Sequence, residues 1–124
     1  KDEEQHPDPP GVQRLGFLPD EQLAWAYRHA SVVLCPSVLE GFGLPAREAL
    51  DLGAWLITSE DPALCEVSGD RAQHIRAAEP APWVAAIAAS LARPSDAATE
   101  VRSVRQWRDV ADETVEVMAR VLHG

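Results

Sequence analysis

The stretch SVVLCPSVLEGFGLPAREALDLG, residues 31–53, decides the fold. It opens with the apolar run VVLC, which has no polar interruption and is typical of a short strand buried on both faces of a parallel sheet. Pro36 ends that strand, and a loop with two glycines follows. Pro45 suits the first turn of a helix because it presets φ and has no amide proton. We therefore predict a strand over residues 32–35, a glycine loop, and a helix that begins near Leu44 or Pro45.

Two carboxylates flank the predicted loop, Glu40 at its entrance and Glu48 about one turn inside the helix. The loop glycines allow positive φ angles and close approach of a ligand to the backbone. The free amides and positive dipole end of the helix favour an anion such as a diphosphate. Carboxylates only accept hydrogen bonds, which matches the vicinal hydroxyls of a pyranose or a ribose. Two such acceptors on either side of an anion site could bind both ends of a sugar nucleotide. The alternative is that both glutamates are ordinary solvated acids.

Alternating strand and helix patterns surround this stretch. Further strands are predicted over residues 12–16, 55–58 and 73–76, and helices from Pro19-Asp20, over residues 81–91 and over residues 97–122. The first of these helices carries Leu23, Ala26, Tyr27 and Ala30 on one face, and the second carries Trp83, Ala86, Ile87 and Leu91. This alternation predicts an α/β fold, a parallel sheet with helices on both faces.

Length and charge limit the functional classes. The chain has 124 residues and a net charge of -9, which fits one domain or part of one. Nucleic acids and anionic membranes require a basic surface, so neither is expected as a partner. The sequence has no apolar run of about 18 residues and no signal peptide, so we expect no membrane span and a cytoplasmic location. The histidines and cysteines show no metal-ligand spacing, and no metal site is predicted.

The segment PSVLEGFGLPAREALDLG resembles the signature of retaining GT-B glycosyltransferases, in particular family 4, also called glycosyl transferases group 1. That signature is roughly P-S-x-x-E-G-F-G-L-P-x-x-E-A-x-x-x-G. The flanking segments GFLPDEQLAWAYRHASVVLCPS and ALCEVSGD are similar to the family's lead-in and to its later E-V-x-G-D segment. The resemblance covers roughly residues 12–91. It implies a Rossmann-like sheet that forms part of the C-terminal domain of a GT-B fold.

The resemblance also implies an activity, the transfer of a sugar from a UDP- or GDP-linked donor to an acceptor with retention of configuration. Glu40 and Glu48 would be the catalytic residues, Glu40 through the hydroxyls of the transferred sugar and Glu48 through the ribose. The implied donor-binding residues are Glu40, Gly41, Phe42, Gly43, Leu44 and Glu48, and the amides of Phe42, Gly43 and Leu44 would meet the diphosphate and the sugar. No cofactor is implied besides this substrate.

The sequence departs from the family pattern in three places. The family neutralises the donor phosphates with an Arg and a Lys on an earlier strand and helix, whereas the only lysine here is Lys1. Residues 1–124 are therefore predicted to be a partial nucleotide-sugar-binding domain, inactive alone and lacking the N-terminal acceptor-binding domain. A Pro-Val pair after Gly53 is replaced by Ala54-Trp55. A glycine pair is replaced by Glu60-Asp61-Pro62, which adds negative charge near the predicted site.

Two alternative functions are compatible with parts of the sequence. Residues 41–46 fit the dinucleotide-binding pattern G-x-G-x-x-A, although five residues separate the first glycine from the strand. The absent cations and the absent second domain instead fit a non-catalytic remnant that binds sugar nucleotides or is purely structural. The length of the natural reading frame would discriminate between an enzyme and a remnant.

Overall fold

The computed structural model describes residues 7–93 and 107–123. Three strands form one parallel sheet in the order β1-β2-β3. They are β1 (Val33–Cys35), β2 (Leu56–Ser59) and β3 (Ala72–Ile75). Leu56 lies opposite Val33 on one side and opposite Ala72 on the other. The predicted parallel sheet is thus confirmed, with β2 and β3 each displaced by one residue from the expected bounds.

Helices connect and follow these strands. They are α1 (Asp20–His29), α2 (Leu44–Asp51), α3 (Pro62–Ser68), α4 (Pro80–Leu91) and α5 (Trp107–His123), with a 3-10 turn over Gly69–Arg71. The predicted starts of α1 and α2 are confirmed. Proline lies in the first turn of α2, α3 and α4, where its missing amide proton costs no hydrogen bond. The predicted helix over residues 97–122 is confirmed from residue 107 onward, and its earlier part lies outside the described residues.

Two apolar clusters cover opposite faces of the sheet. One contains Cys35, Ala46, Ala49, Leu50, Ala54, Leu56 and Leu64, with Tyr27 of α1 packed against it. The other contains Ile57, Ile75, Trp83 and Ala86. The neighbours Leu56 and Ile57 belong to different clusters because successive side chains of a strand point to opposite faces. The predicted α/β fold with helices on both faces of the sheet is confirmed.

The strand predicted over residues 12–16 is wrong. This segment has no strand structure, and its residues are exposed. The amide of Val12 donates to the carbonyl of Pro9 in a turn, at 3.0 Å. A strand requires a neighbouring strand to satisfy its backbone groups, and no described strand pairs with this segment.

Burial on both faces of β1 was also predicted, and this is wrong for Leu34, which is 41% exposed. β1 is at the edge of the described sheet, and Leu34 belongs to neither apolar cluster. Two expected helix-face positions, Ala30 and Leu91, are exposed because they lie at or beyond the last residue of their helices. In the part of the chain that the structure describes, no helix has the length and apolarity needed to cross a membrane.

Candidate functional site

The start of α2 depends on Gly43. This residue is buried and has a φ of 81°, in the left-handed region that favours glycine. A Cβ atom at this position would lie 2.9 Å from Cδ2 of Leu64 and 3.3 Å from Cγ1 of Val67. The carbonyl of Gly43 accepts a hydrogen bond from the amide of Arg47 at 3.0 Å, which closes the first turn of the helix. Backbone conformation and packing against α3 therefore both require a glycine here.

Gly41 differs from Gly43, although the sequence suggested the same use for both. It does not adopt a positive φ angle, and a Cβ atom built on it would have no neighbour within 4 Å. The fold itself gives no reason for a glycine at this position. The side chains of Phe42 and Leu44 are both more than half exposed, so this side of the loop is open.

Glu40 and Glu48 each contribute to the electrostatic environment of a different group in one apolar cluster. Burial raises the pKa of the Cys35 thiol, and the negative charge of Glu40 raises it further. Burial likewise raises the pKa of the Tyr27 hydroxyl, with smaller contributions from Glu48 and then from Cys35. Cys35 and Tyr27 pack in the same apolar cluster. Glu40 is half-buried on the loop, and Glu48 is exposed on α2.

The loop that carries Glu40 is attached to the end of β2 by two residues that the sequence reasoning did not select. Asp61 Oδ2 accepts the backbone amide of Glu40 at 3.3 Å. The hydroxyl of Ser59 donates to the carbonyl of Ser37. The sequence indicates that Asp61 adds negative charge near the site, and the structure shows that it is also the N-cap of α3. An Asp directly before a proline is a recognisable N-cap signal and could have identified it.

A groove of about 300 Å³ lies between α2 and α3 beside the glycine loop. It is lined by Gly41, Phe42, Arg47, Ala63, Glu66 and Val67. Glu40 and Glu48 are not part of its lining. Nε of Arg47 pairs with the carboxylate of Asp51 at 2.9 and 3.1 Å.

Within residues 7–93 and 107–123, no group of three or more His, Cys, Asp or Glu side chains is arranged to hold a metal ion. The arrangement is instead one of hydrogen-bond acceptors, Glu40 and Glu48, around a loop and a helix N-terminus. Such an arrangement fits a ligand that carries both hydroxyls and negative charge.

Comparison with known proteins identifies the family of this chain. Residues 4–103, which include the loop and both glutamates, match the family described as Glycosyl transferases group 1. The chain belongs to the glycosyl transferases group 1 family. Its GFG loop and the two glutamates thus lie inside the region that defines membership of that family.

This chain is similar to three mannosyltransferases. It is 35% identical over 122 residues, 90% of this chain, to MMP alpha-(1->4)-mannosyltransferase of Mycolicibacterium hassiacum. It is 42% identical over 59 residues, 48% of this chain, to O-antigen chain mannosyltransferase B of Escherichia coli. It is 43% identical over 54 residues, 44% of this chain, to the serotype-specific mannosyltransferase WbdA of Escherichia coli. The matches span 29%, 16% and 7% of those relatives' lengths. No solved structure matches the chain significantly.

Proposed function

We propose that this chain is part of the donor-binding domain of a retaining GT-B glycosyltransferase of family 4, which transfers mannose from a nucleotide diphosphate sugar. The observation that carries the proposal is the placement of Glu40 and Glu48 around the N-terminus of α2, within the region matched by the family.

Each part of the donor has a matching group. Glu40 accepts hydrogen bonds from hydroxyls of the transferred sugar, and Glu48 accepts them from the ribose. The diphosphate lies over the amides of Phe42, Gly43 and Leu44, at the positive end of the α2 dipole. Gly41 supports this placement because a ligand lying against its backbone explains a glycine that neither φ nor packing requires.

Mannose is proposed as the transferred sugar because all three similar proteins are mannosyltransferases by name. The described side chains do not favour UDP over GDP as the carrier. We therefore keep both bases, and the experiment below discriminates between them.

During transfer, negative charge develops on the diphosphate oxygen that leaves the sugar. Preorganised amides and the α2 dipole stabilise this charge, and the loop arrangement supports that role. Glu40 orients the sugar and does not act as a general base. We propose that the cations for the diphosphate and the acceptor site belong to other parts of a longer enzyme, including an N-terminal domain. The match to the M. hassiacum relative covers only 29% of its length, which supports this division. The cytoplasmic location remains a prediction.

The dinucleotide-binding alternative is disfavoured by the loop. β1 ends at Cys35, so residues 36–40 separate it from Gly41, whereas the first glycine of that pattern follows its strand directly. The non-catalytic alternative shares the donor site with the enzyme. The two alternatives predict different results for the full-length protein, because the enzyme transfers the sugar and the non-catalytic remnant does not.

The test is titration calorimetry of the full-length protein with UDP- and GDP-linked mannose, glucose and galactose. We expect one nucleotide mannose to bind most tightly, and Glu48→Ala to weaken it at least about tenfold. Glu21→Ala removes the same charge from the exposed first turn of α1 and serves as the control. Tight binding unaffected by Glu48→Ala would overturn the site. Donor binding without any mannosyl product, tested with a panel of sugar and lipid acceptors, would favour the remnant. In an active protein, NMR of the product linkage tests retention.

A further inference from the structure

Asp61 is a buried carboxylate that joins two separate segments of backbone. Its residue is 7% exposed. Oδ1 accepts the amides of Ala63 at 2.9 Å and Leu64 at 3.2 Å, which caps α3. Oδ2 accepts the amide of Glu40 at 3.3 Å, across 21 positions of sequence. Capping needs only one oxygen, so the second oxygen has a separate role at the loop.

Ser59 provides a second attachment to the same loop. Its hydroxyl donates to the carbonyl of Ser37 and accepts the amide of Asp61 at 3.3 Å. Ser59 is 1% exposed and lies at the end of β2, the central strand of the described sheet. The loop of residues 37–40 is therefore held at both its beginning and its end by the turn between β2 and α3.

We propose that Asp61 is a positioning residue that sets the placement of Glu40 towards the sugar of the donor. The proposal rests on the proposed function, because it assigns Glu40 to that sugar. Asp61 fixes the backbone of Glu40 and does not itself touch the donor. A hydrogen bond to a charged acceptor is stronger than a neutral one, so a carboxylate suits this purpose.

A purely electrostatic role for Asp61 makes the opposite prediction. If its charge acted only by repelling the diphosphate, its removal would tighten the binding of every nucleotide ligand. If Asp61 positions Glu40, its removal weakens the sugar nucleotide and does not weaken the bare nucleotide. Binding of the two ligands therefore discriminates between these roles.

The most informative substitution is Asp61→Asn. Its amide oxygen can keep the two hydrogen bonds that cap α3, since Asn is among the best N-cap residues. Its amide nitrogen then faces the Glu40 amide, and two donors cannot bond. Asp61→Ser is the second variant, because serine also caps helices but its shorter side chain does not reach Glu40. Both variants keep α3 capped and remove the bond to Glu40.

The experiment is calorimetry of the full-length protein with GDP-mannose, UDP-mannose and the corresponding bare nucleotides. For the mannose donor that binds, we expect both variants to weaken affinity about fivefold to tenfold without weakening the bare nucleotide. Amide hydrogen exchange should accelerate at Glu40 while that of Leu64 stays unchanged in Asp61→Asn. In a Glu40→Ala background, Asp61→Asn should have no further effect on the sugar nucleotide, because Asp61 acts through Glu40.

Wild-type affinity for the mannose donor in both variants would overturn the positioning role alone. It would also be overturned if Asp61→Asn weakened sugar-nucleotide binding equally in the wild-type and Glu40→Ala backgrounds. Tighter binding of all ligands in the Asp61 variants would overturn it too. Failure of the wild-type protein to bind any sugar nucleotide would overturn the proposed function, and the positioning role with it.

Discussion

A Cβ atom on Gly43 would lie 2.9 Å from Cδ2 of Leu64, a side chain that is 1% exposed. The first turn of α2 therefore packs against α3 through a backbone without a side chain. This contact fixes the helix N-terminus relative to the loop that carries Glu40. Two glycines two residues apart consequently have different roles, Gly43 in the fold and Gly41 at the open surface.

The two glycines should respond differently to the same substitution. Gly43→Ala forces a side chain into the left-handed region and against α3, and we expect it to lower the free energy of unfolding by about 1–3 kcal/mol. Gly41→Ala meets no neighbour and no positive φ, so its effect should stay within about 0.5 kcal/mol. Denaturant titration of both variants measures these values.

The same pair also tests the donor site. Gly41→Ala should keep its stability and still weaken the sugar nucleotide, because the added methyl group occupies the space that the ligand uses. If Gly41→Ala leaves donor affinity unchanged, the ligand does not lie against Gly41. Equal stability losses for the two variants would contradict the packing described for Gly43.

The two free cysteines should differ in their reaction with iodoacetamide near neutral pH. Cys35 is 9% exposed, and burial together with the charge of Glu40 raises its pKa, whereas Cys65 is half-buried. Because the thiolate is the reactive form, Cys65 should be alkylated at least about tenfold faster. Glu40→Gln should accelerate the alkylation of Cys35 and leave that of Cys65, the internal control, unchanged. Mass spectrometry of tryptic peptides measures the alkylation of both cysteines. An unchanged alkylation rate of Cys35 in Glu40→Gln would contradict the effect of the Glu40 charge on this thiol.

Tyr27 should make the protein sensitive to alkaline pH. Burial and the charge of Glu48 raise its pKa above the ordinary value of 10.0, so folding favours the neutral hydroxyl. The stabilisation is complete below that ordinary value and is lost as the pH rises through the pKa of the folded state. Tyr27→Phe should therefore lose less stability than the wild type between about pH 8 and about pH 11. The midpoints of urea unfolding at both pH values measure the difference. Equal losses of stability in Tyr27→Phe and the wild type would argue against the environment described for Tyr27.

Local sequence chemistry was sufficient to predict the centre of the fold. Pro45 and the preceding glycine determine where α2 begins, and the uninterrupted apolar run predicts β1. These signals act over a few residues and do not depend on distant packing. They also placed Glu40 and Glu48 correctly on the loop and the helix, although their functions stay predictions.

The errors came from features that depend on distant parts of the chain. A strand over residues 12–16 requires a partner strand, and the burial of Leu34 depends on what packs against a strand at the edge of the described sheet. Asp61 was interpreted as an added charge because its bond to Glu40 joins residues 21 positions apart. Neither periodicity nor residue type reveals such a contact.

The most direct test of the account compares the bare nucleotide with its mannose conjugate in two variants of the full-length protein. Calorimetry should show that Glu48→Ala weakens both ligands, since the ribose is common to them. Glu40→Ala should weaken only the mannose conjugate, by about tenfold, since its partner is the sugar. Glu21→Ala should match the wild type with both ligands. Equal loss of the bare nucleotide in Glu40→Ala and Glu48→Ala would contradict the assignment of the two glutamates.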